Sequence, residues 1–406
     1  MQLLNLIQGA EVEWKNITEV FKLRNGYTPS KKNLDFWDEN LATIPWFRME
    51  DIRTNGHILS DSIQHITEKA VKGNLFKANS IIIATSATIG EHALITVDFM
   101  CNQRFTCFTI SDEYEDKLLP KFAYYYFFSI DKFVQQTQKQ SSMPAADMEA
   151  LKNLEIPIPS PEIQQKVVEI LDKMTDYVTE LTAELTLRQK QYAYYRDQLL
   201  TFGVEGNSLS VRWTTLGELC QIGDGLHGTP IYDKTGDYYF INGNNLKGGN
   251  ISYSPDTKKV NNKSFDKYGI GFSREKTVFL SINGTVGSVA LYKDEKIVLG
   301  KSVAYFNILN EQLSLKYLFH LLQTKNSKDY YEKSKTGSTI KNLGLKALRD
   351  FKIPLPNLTE QKRIVKILDK FDSLTSDLTE GLPREIALRQ KQYEYWRKEL
   401  LNFSKK

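Results

Sequence analysis

Apolar residues recur with a period of about 3.5 in two long blocks, one near the middle of the chain and one at its end. This is the period of a coiled coil, and Lys, Arg, Glu and Gln fill the flanking positions. It predicts a continuous first helix from about Pro161 to Phe202, roughly 60 Å long at about 1.5 Å per residue. Since that helix is too long for the inside of one domain, we expect its apolar seam to pack against another helix. The seam residues are Ile163, Val167, Ile170, Met174, Leu181, Tyr192, Tyr195 and Leu199 in the first block, and Ile364, Ile367, Phe371, Leu378, Tyr393, Trp396 and Leu400 in the second.

The two blocks are copies of one sequence, because they share identical residues and not only a period. Residues 164–173 correspond to 361–370, and each block opens on a Pro-x-Pro sequence, at Pro157 and at Pro354. The second copy has four additional residues near Gly381 and Pro383, which predict a kink or a short break in its helix. Two long helices packed antiparallel are therefore expected. Two unrelated amphipathic surface helices remain the alternative.

The regions that precede the blocks also resemble each other. Trp14 and Trp213 open them, and each contains a run typical of a buried strand, at 81–85 and at 278–282, before an aromatic helical pattern. Such alternation predicts α+β domains. We expect an α+β protein with two similar α/β heads, joined and followed by long antiparallel coiled-coil helices in an internal pseudo-two-fold repeat. The predicted domains are 1–157 (head 1), 158–204 (central helical region), 205–354 (head 2) and 355–406 (C-terminal helical region).

Composition narrows the classes of protein that this chain can be. The 406 residues carry a formal net charge of +4, which permits nucleic-acid binding without requiring it. The three cysteines lack metal-binding or disulfide spacing, and no secretory signal or membrane-length apolar run is evident. The expectation is a cytoplasmic protein that does not contact membranes.

Motifs for catalysis are missing from the sequence. There is no GxGxxG fingerprint, and the five histidines show no metal-ligand spacing. Residues 299–302 resemble the end of a phosphate-binding loop, but Glu295 stands where the first glycine belongs, so an ordinary turn is expected. We therefore predict no catalytic residue, no metal site and no cofactor bound by this chain. A protein-binding adaptor and a nuclease with an unrecognised carboxylate site remain open.

Candidates for DNA contact lie in polar loops of both heads. Arg and Lys can read guanine, Asn can read adenine, and Lys, Ser and Thr can hold phosphates. A solvated loop is the alternative for each single residue, and a plain helix N-cap also explains Ser142 or Thr339. The candidates are Lys31, Lys32, Arg48, Arg53, Asn55, Ser141 and Ser142 in head 1, and Asn242, Asn244, Asn245, Lys247, Lys335, Ser338 and Thr339 in head 2.

These features together resemble the specificity subunit of a Type I restriction–modification system over essentially the whole chain. The strongest match is the pair of Ile-Pro-x-Pro…Ile-Leu-Asp blocks, from Ile156 to Asp172 and from Ile353 to Asp369. Residues 182–185 (Thr-Ala-Glu-Leu) resemble the short spacer unit of such helices. The family also has a Gly-Ser-Thr-like stretch before the last short helix of each head; in head 1 the glycine is missing, so the two loops need not be equivalent atom for atom.

The resemblance implies a non-catalytic subunit with two target-recognition domains. Each would read one half of an asymmetric, bipartite site in double-stranded DNA, and the helices would set the distance between the halves. Two methyltransferase subunits, which bind S-adenosylmethionine, would dock on the helical regions, and two restriction subunits, which use ATP and Mg²⁺, could join. Deleting residues 380–383 is then expected to alter the preferred half-site spacing or the assembly.

Overall fold

Head 1 is built on a five-stranded sheet whose central strands are buried on both faces. The run Ser80–Ala84 is fully buried, as expected of a β-branched segment that lies between a helix and a second sheet. The computed structural model describes residues 7, 9–86, 88–137, 145–203, 211–337, 341–376 and 381–404. The elements of this half are β1 (Val12–Asn16), α1 (Ile17–Val20), β2 (Phe21–Asn25), β3 (Ile44–Phe47), α2 (Met49–Asn55), β4 (Ile58–Leu59), β5 (His65–Ile66), β6 (Ser80–Ala84), β7 (His92–Ile95), β8 (Met100–Cys101), β9 (Phe105–Ile110), α3 (Pro120–Gln136), α4 (Met148–Lys152), β10 (Glu155–Pro159) and α5 (Pro161–Leu200).

Head 2 repeats this order of elements with small changes. Its elements, with those that follow it, are β11 (Arg212–Thr215), α6 (Leu216–Leu219), β12 (Cys220–Asp224), β13 (Tyr238–Ile241), β14 (Leu246–Lys247), β15 (Asn250–Ile251), β16 (Lys259–Val260), α7 (Asn262–Tyr268), β17 (Thr277–Ser281), β18 (Val289–Leu291), β19 (Ile297–Leu299), β20 (Val303–Ile308), α8 (Leu315–Leu321), α9 (Lys325–Ser334), β21 (Lys335–Thr336), β22 (Asn342–Leu343), α10 (Leu345–Asp350), β23 (Lys352–Leu355), α11 (Leu358–Ser376) and α12 (Leu382–Leu400).

The sheets of the two heads have equivalent topologies. The order β2-β9-β6-β7-β4 in head 1 corresponds to β12-β20-β17-β18 in head 2, and the order β5-β3-β8 corresponds to β16-β13-β19. The Pro-x-Pro sequences form strands β10 and β23, each in a two-stranded sheet where proline does not interrupt a central ladder. Trp14 lies opposite Pro157, and Trp213 lies opposite Pro354, so even this register is repeated. The predicted α+β class with two similar heads is confirmed.

The helical blocks differ in continuity, as their sequences predict. Helix α5 is 40 residues long and has no break. In the second block α11 ends at Ser376, and α12 begins at Leu382, directly after Gly381. Pro383 lies in the first turn of α12, where its missing N–H removes no helical hydrogen bond. Among the described residues, none of the helices combines the length and the apolar character that a membrane crossing requires.

The chain forms two compact units, Met1–Val178 with Arg389–Lys406, and Thr179–Leu388. In the first unit, Val167 of α5 and Leu400 of α12 are fully buried in the core of head 1. In the second unit, Ile364 is fully buried in the core of head 2, and the ring of Phe371 stacks on Tyr195 at 5.4 Å. Each such burial stabilises the fold by roughly 1.5–3 kcal/mol.

The other described seam residues differ in how far they are exposed to solvent. Tyr192 and Tyr393 are buried, Tyr195 is 40% exposed, and the remaining described members are partly buried (Ile163, Ile170, Met174, Leu181, Leu199, Ile367 and Trp396). Leu378 lies outside the described residues. The seam thus packs largely against the chain itself, and its buried members are not available to a partner subunit in this conformation.

One buried glutamine fastens each long helix to its head. In head 1, Gln164 accepts a hydrogen bond from Leu119 N (2.8 Å) and donates two, to the carbonyl oxygens of Lys117 (2.7 Å) and Pro159 (2.8 Å). In head 2, Gln361 forms the same three bonds, with Ser314 N (2.8 Å) and the carbonyls of Gln312 (2.7 Å) and Pro356 (2.8 Å). We call these residues the glutamine locks; they give a structural reason for the identity of the two blocks.

Candidate nucleic-acid interface

Head 1 contains two pairs of parallel strands, β4 with β7 and β3 with β8, and the second of these is equivalent to the parallel pair β13 with β19 in head 2. Because parallel strands run in the same direction, the loops that follow them emerge at the same edge of the sheet. Asn102 N donates to Phe47 O at 3.1 Å in head 1, and Gly300 N donates to Ile241 O at 2.8 Å in head 2. In both heads the last residue of the first strand is therefore bonded to the first residue after the second strand, so the loops that follow the two strands begin side by side.

A third loop, which follows the central strand of the larger sheet, joins this edge. Thr85 N donates to Arg104 O at 2.9 Å, and the equivalent Ile282 N donates to Ser302 O at 2.9 Å. We call the three loops of each head its edge cluster. Besides Thr85 and Asn102, the edge clusters contain the polar side chains of Arg48, Ser86, Thr88, Gln103 and Arg104 in head 1, and those of Asn242, Asn283, Thr285, Lys301 and Ser302 in head 2.

Glycine allows a fourth loop to approach each edge cluster. A Cβ added to Gly26 would lie 2.2 Å from the Asn102 carbonyl oxygen, and one added to Gly225 would lie 2.2 Å from that of Leu299. Atoms do not approach so closely, so the turn requires glycine in both heads. The approach places Thr28 in head 1 within hydrogen-bonding distance of the Gln103 side chain.

The edge cluster of head 1 is rich in guanidinium groups. Arg48 forms an ion pair with Glu50 (3.1 Å), and its buried Nε atom has no hydrogen-bond partner among the described residues. Arg53 donates to Thr88 Oγ1 (3.2 Å) and lies 3.5 Å from Glu91. The side chain of Arg104 is exposed and forms no ion pair or hydrogen bond within the described part of the chain. One cation of this edge is therefore free to meet an external anion or base.

The edge cluster of head 2 presents amides and a lysine instead. Ser302 Oγ donates to Asn242 Oδ1 (3.2 Å), and Asn283 Nδ2 donates to Lys301 O (3.4 Å). Lys301 is exposed, and its ammonium group has no acidic partner in the described ranges. Asn283 forms a β-bridge with Asn342, which places strand β22 beside the cluster. The predicted residue Lys335, in the neighbouring strand β21, is paired with Glu332.

Four predicted residues of head 2 meet at a cavity of about 230 Å³ next to the edge cluster. Asn242, Asn244, Asn245 and Lys247 line it, together with Tyr253, whose ring stacks on Tyr239 at 4.2 Å. The Asn245 side chain is already occupied, since its Oδ1 accepts from Asn242 N (3.0 Å) and its Nδ2 donates to Ser252 O (3.0 Å). Asn245 therefore shapes the turn, whereas Asn244 and Lys247 are exposed.

The other predicted residues lie apart. Lys31 and Lys32 are exposed in the loop before a short 3-10 turn, Leu34–Phe36, and Asn55 is the exposed last residue of α2. Ser141, Ser142, Ser338 and Thr339 lie outside the described residues.

Sequence reasoning missed Gln103 and Arg104 in head 1 and assigned Lys301 and Ser302 in head 2 to an ordinary turn. The turn is real, but it belongs to the edge cluster. The signal was present in the repeat, because both pairs directly precede an equivalent strand, β9 or β20, at the same offset.

The described residues contain no metal-ligand cluster, and the Cys107 and Cys220 thiols are buried. No group of three or more His, Cys, Asp or Glu side chains there is placed to hold a metal ion. Burial raises the pKa of the Cys107 thiol to about 12, so it is not an ionised nucleophile near neutral pH. Burial raises the pKa of the Cys220 thiol to about 12 as well.

Two heads of one fold, each with a polar edge cluster and a long helix, define a duplicated recognition protein. The family model of the Type I restriction modification DNA specificity domain matches residues 10–188 and again residues 211–388. The chain is 39% identical over 395 residues to the specificity subunit of the Type I restriction enzyme EcoprrI from Escherichia coli (93% of this chain, 92% of the relative). It is 34% identical over 419 residues to the EcoR124I/EcoR124II specificity subunit, also from Escherichia coli (99% and 97%).

A solved structure from a study of complex assembly in the Type I restriction–modification system has the same fold. Its TM-score is 0.60 at 19% sequence identity, over 96% of this chain and 97% of the other. The chain belongs to the family of Type I restriction–modification DNA specificity subunits. The resemblance inferred from the sequence is therefore confirmed, and the adaptor and nuclease alternatives are not favoured, because members of this family are non-catalytic DNA-recognition components.

Proposed function

We propose that head 1 and head 2 each read one half of an asymmetric, bipartite sequence in double-stranded DNA. The long helices would hold the two half-sites at a fixed spacing. The observation that carries this proposal is that the same edge cluster occurs in both heads with different side chains, for example Arg48 against Asn242. An unchanged backbone with changed side chains is suited to reading two different half-sites.

The helices also offer two equivalent surfaces for partner subunits. Leu187 and Tyr194 of α5 are 64% and 61% exposed, and Leu388 and Tyr395, at the same offsets in α12, are 48% and 53% exposed. Residues seven apart lie on the same side of a helix, and exposed aromatic residues are common anchors of interfaces. Since the described seam residues are mostly buried or partly buried against the chain itself, whereas these four side chains are exposed, we assign the docking of the methyltransferase subunits to these residues. Two equivalent surfaces support two such subunits per chain.

The chemistry of the complex would belong to its partners. Methyltransferase subunits would bind S-adenosylmethionine, and two restriction subunits would use ATP and Mg²⁺, while this chain supplies recognition. The three cysteines are unpaired and buried, which suits a reducing cytoplasm.

Salt-dependent DNA binding tests the proposal. The chain would be purified with its methyltransferase subunits, and its affinity for a random-sequence duplex pool would be measured between about 50 and 200 mM salt. We expect the logarithm of the affinity to fall linearly with that of the salt concentration, because phosphate contacts release counterions. An affinity that does not depend on salt, or no binding at any salt concentration, would contradict DNA recognition.

A further inference from the structure

The edge clusters of the two heads share their backbone hydrogen bonds and differ in their side chains. The bond across the parallel strands is 3.1 Å long in head 1 and 2.8 Å in head 2, and the bond to the third loop is 2.9 Å in both. These bonds fix which residues are equivalent between the heads. In each head, three of the exposed or half-buried positions of the edge cluster lie in the loops that follow the parallel strands, namely Arg48, Gln103 and Arg104 in head 1, and Asn242, Lys301 and Ser302 in head 2.

In each head one of these side chains is oriented by a neighbour, and another is a cation without a partner among the described residues. Arg48 is oriented by Glu50 and Asn242 by Ser302, whereas Arg104 and Lys301 are exposed without an ion pair in the described part of the chain. The Asn242 Nδ2 group forms no hydrogen bond with a described residue. Each edge therefore combines an oriented side chain with a free cation, and both kinds of side chain can contact base edges.

We propose that these six residues, the reading positions, determine which bases the protein selects, three positions for each half-site. This inference rests on the proposed function and names the side chains that perform it. An arginine guanidinium pairs with O6 and N7 of guanine, and an asparagine amide pairs with N6 and N7 of adenine. The half-site of head 1 accordingly contains a G·C pair contacted by Arg104, and that of head 2 contains an A·T pair contacted by Asn242.

Base selection can be separated from simple phosphate attraction. A cation that only contacts phosphate weakens binding to all sequences alike, while a base contact changes the preferred sequence when it is removed. The decisive readout is therefore the methylated motif and not the affinity alone.

The test moves the head 2 side chains onto head 1 by the triple substitution Arg48→Asn, Gln103→Lys and Arg104→Ser. The variant would be expressed with the methyltransferase subunit in an unmodified host, and methylated adenines would be mapped across the genome. We expect base discrimination in the first half-site to change by about 5- to 150-fold at one or more positions. The second half-site and the gap serve as internal controls and should stay unchanged. A first half-site identical to that of the unsubstituted chain would overturn the proposal.

Two further variants guard against a folding artefact. The control Lys22→Ala with Lys77→Ala removes two exposed cations that pair with Asp112, outside the edge cluster, and should leave the motif unchanged. If the triple variant loses all methylation, the single variant Arg104→Gln would be mapped in its place. It changes one exposed side chain and should leave the fold intact. An unaltered motif in that variant overturns the assignment, and a relaxed G·C position supports it. Absence of a split motif in the unsubstituted chain would instead overturn the proposed function.

Discussion

The helical frame of this molecule, that is helices α5, α11 and α12 with the glutamine locks that join them to the heads, differs from the edge clusters in how closely its two halves repeat each other. In the frame the two halves repeat the same three hydrogen bonds, those of Gln164 in head 1 and of Gln361 in head 2. In the edge clusters only the backbone is repeated, and every reading position differs between the heads. The duplicated chain thus keeps its backbone geometry constant and varies the side chains at the reading positions.

The glutamine locks should have the largest effect on stability. Gln164→Ala or Gln361→Ala removes three buried hydrogen bonds and leaves their partners unsatisfied, so each should lower the free energy of unfolding by about 2–4 kcal/mol. Urea or thermal unfolding would measure this, with Gln165→Ala, which changes an exposed neighbour, as the matched control. If one variant lost much of its free energy of unfolding and the other lost none, the two halves of the frame would not be equivalent.

Docking of the methyltransferase should depend on the exposed aromatic residues of the helices. Tyr194→Ala and Tyr395→Ala should each weaken assembly by about 2 kcal/mol, or roughly 30-fold, if they act as interface anchors. Analytical ultracentrifugation or calorimetric titration with the methyltransferase subunit would detect this. Gln198→Ala, a change at another exposed position of α5, should have little effect, and unfolding of the isolated chain should be the same in all three. Unimpaired assembly in both tyrosine variants would disprove this docking surface.

Lys31 and Lys32 provide a contrast to the reading positions, because as phosphate contacts they would carry no sequence information. Their substitution by alanine should weaken DNA binding uniformly and reduce the salt slope by about 1 for each lysine. The methylated motif should not change. A changed motif would show that these lysines contact bases and not only phosphates.

The smallest expected effect concerns an ion pair at each long helix. Asp369 accepts from His320 (3.0 Å) and from Lys316, and its equivalent Asp172 accepts from Lys121 (2.7 Å) and Tyr125 (2.6 Å). Burial alone would raise the pKa of Asp369, but hydrogen bonds from His320 and Lys316 bring it below its ordinary value.

A lowered pKa in the folded state means that the Asp369 carboxylate stabilises the fold above its unfolded pKa of about 3.9 and that this contribution is lost as the pH falls through the folded pKa. Asp369→Asn should therefore lower Tm at pH 7, and its difference from the unsubstituted chain should shrink below about pH 4. A difference that is constant over this range would show that the carboxylate charge is not what stabilises the helix.

Much of the fold could be predicted because its signals are local and repeated. The apolar period predicted α5 to within two residues of its end, and Gly381 with Pro383 predicted the interruption before α12. The edge clusters could not be predicted, because parallel pairing of β3 with β8 joins segments more than fifty residues apart. Gln164 was also missed, since a polar residue beside a coiled-coil seam has the pattern of a solvated flank.

The most direct measurement is the map of methylated adenines made by the unsubstituted chain with its methyltransferase subunit in an unmodified host. We expect one split motif, with two unlike halves and a fixed gap between them. A symmetric motif would contradict it, because two heads with different reading positions cannot select the same half-site. A motif that consists of one continuous sequence without a gap would show that only one edge cluster reads DNA.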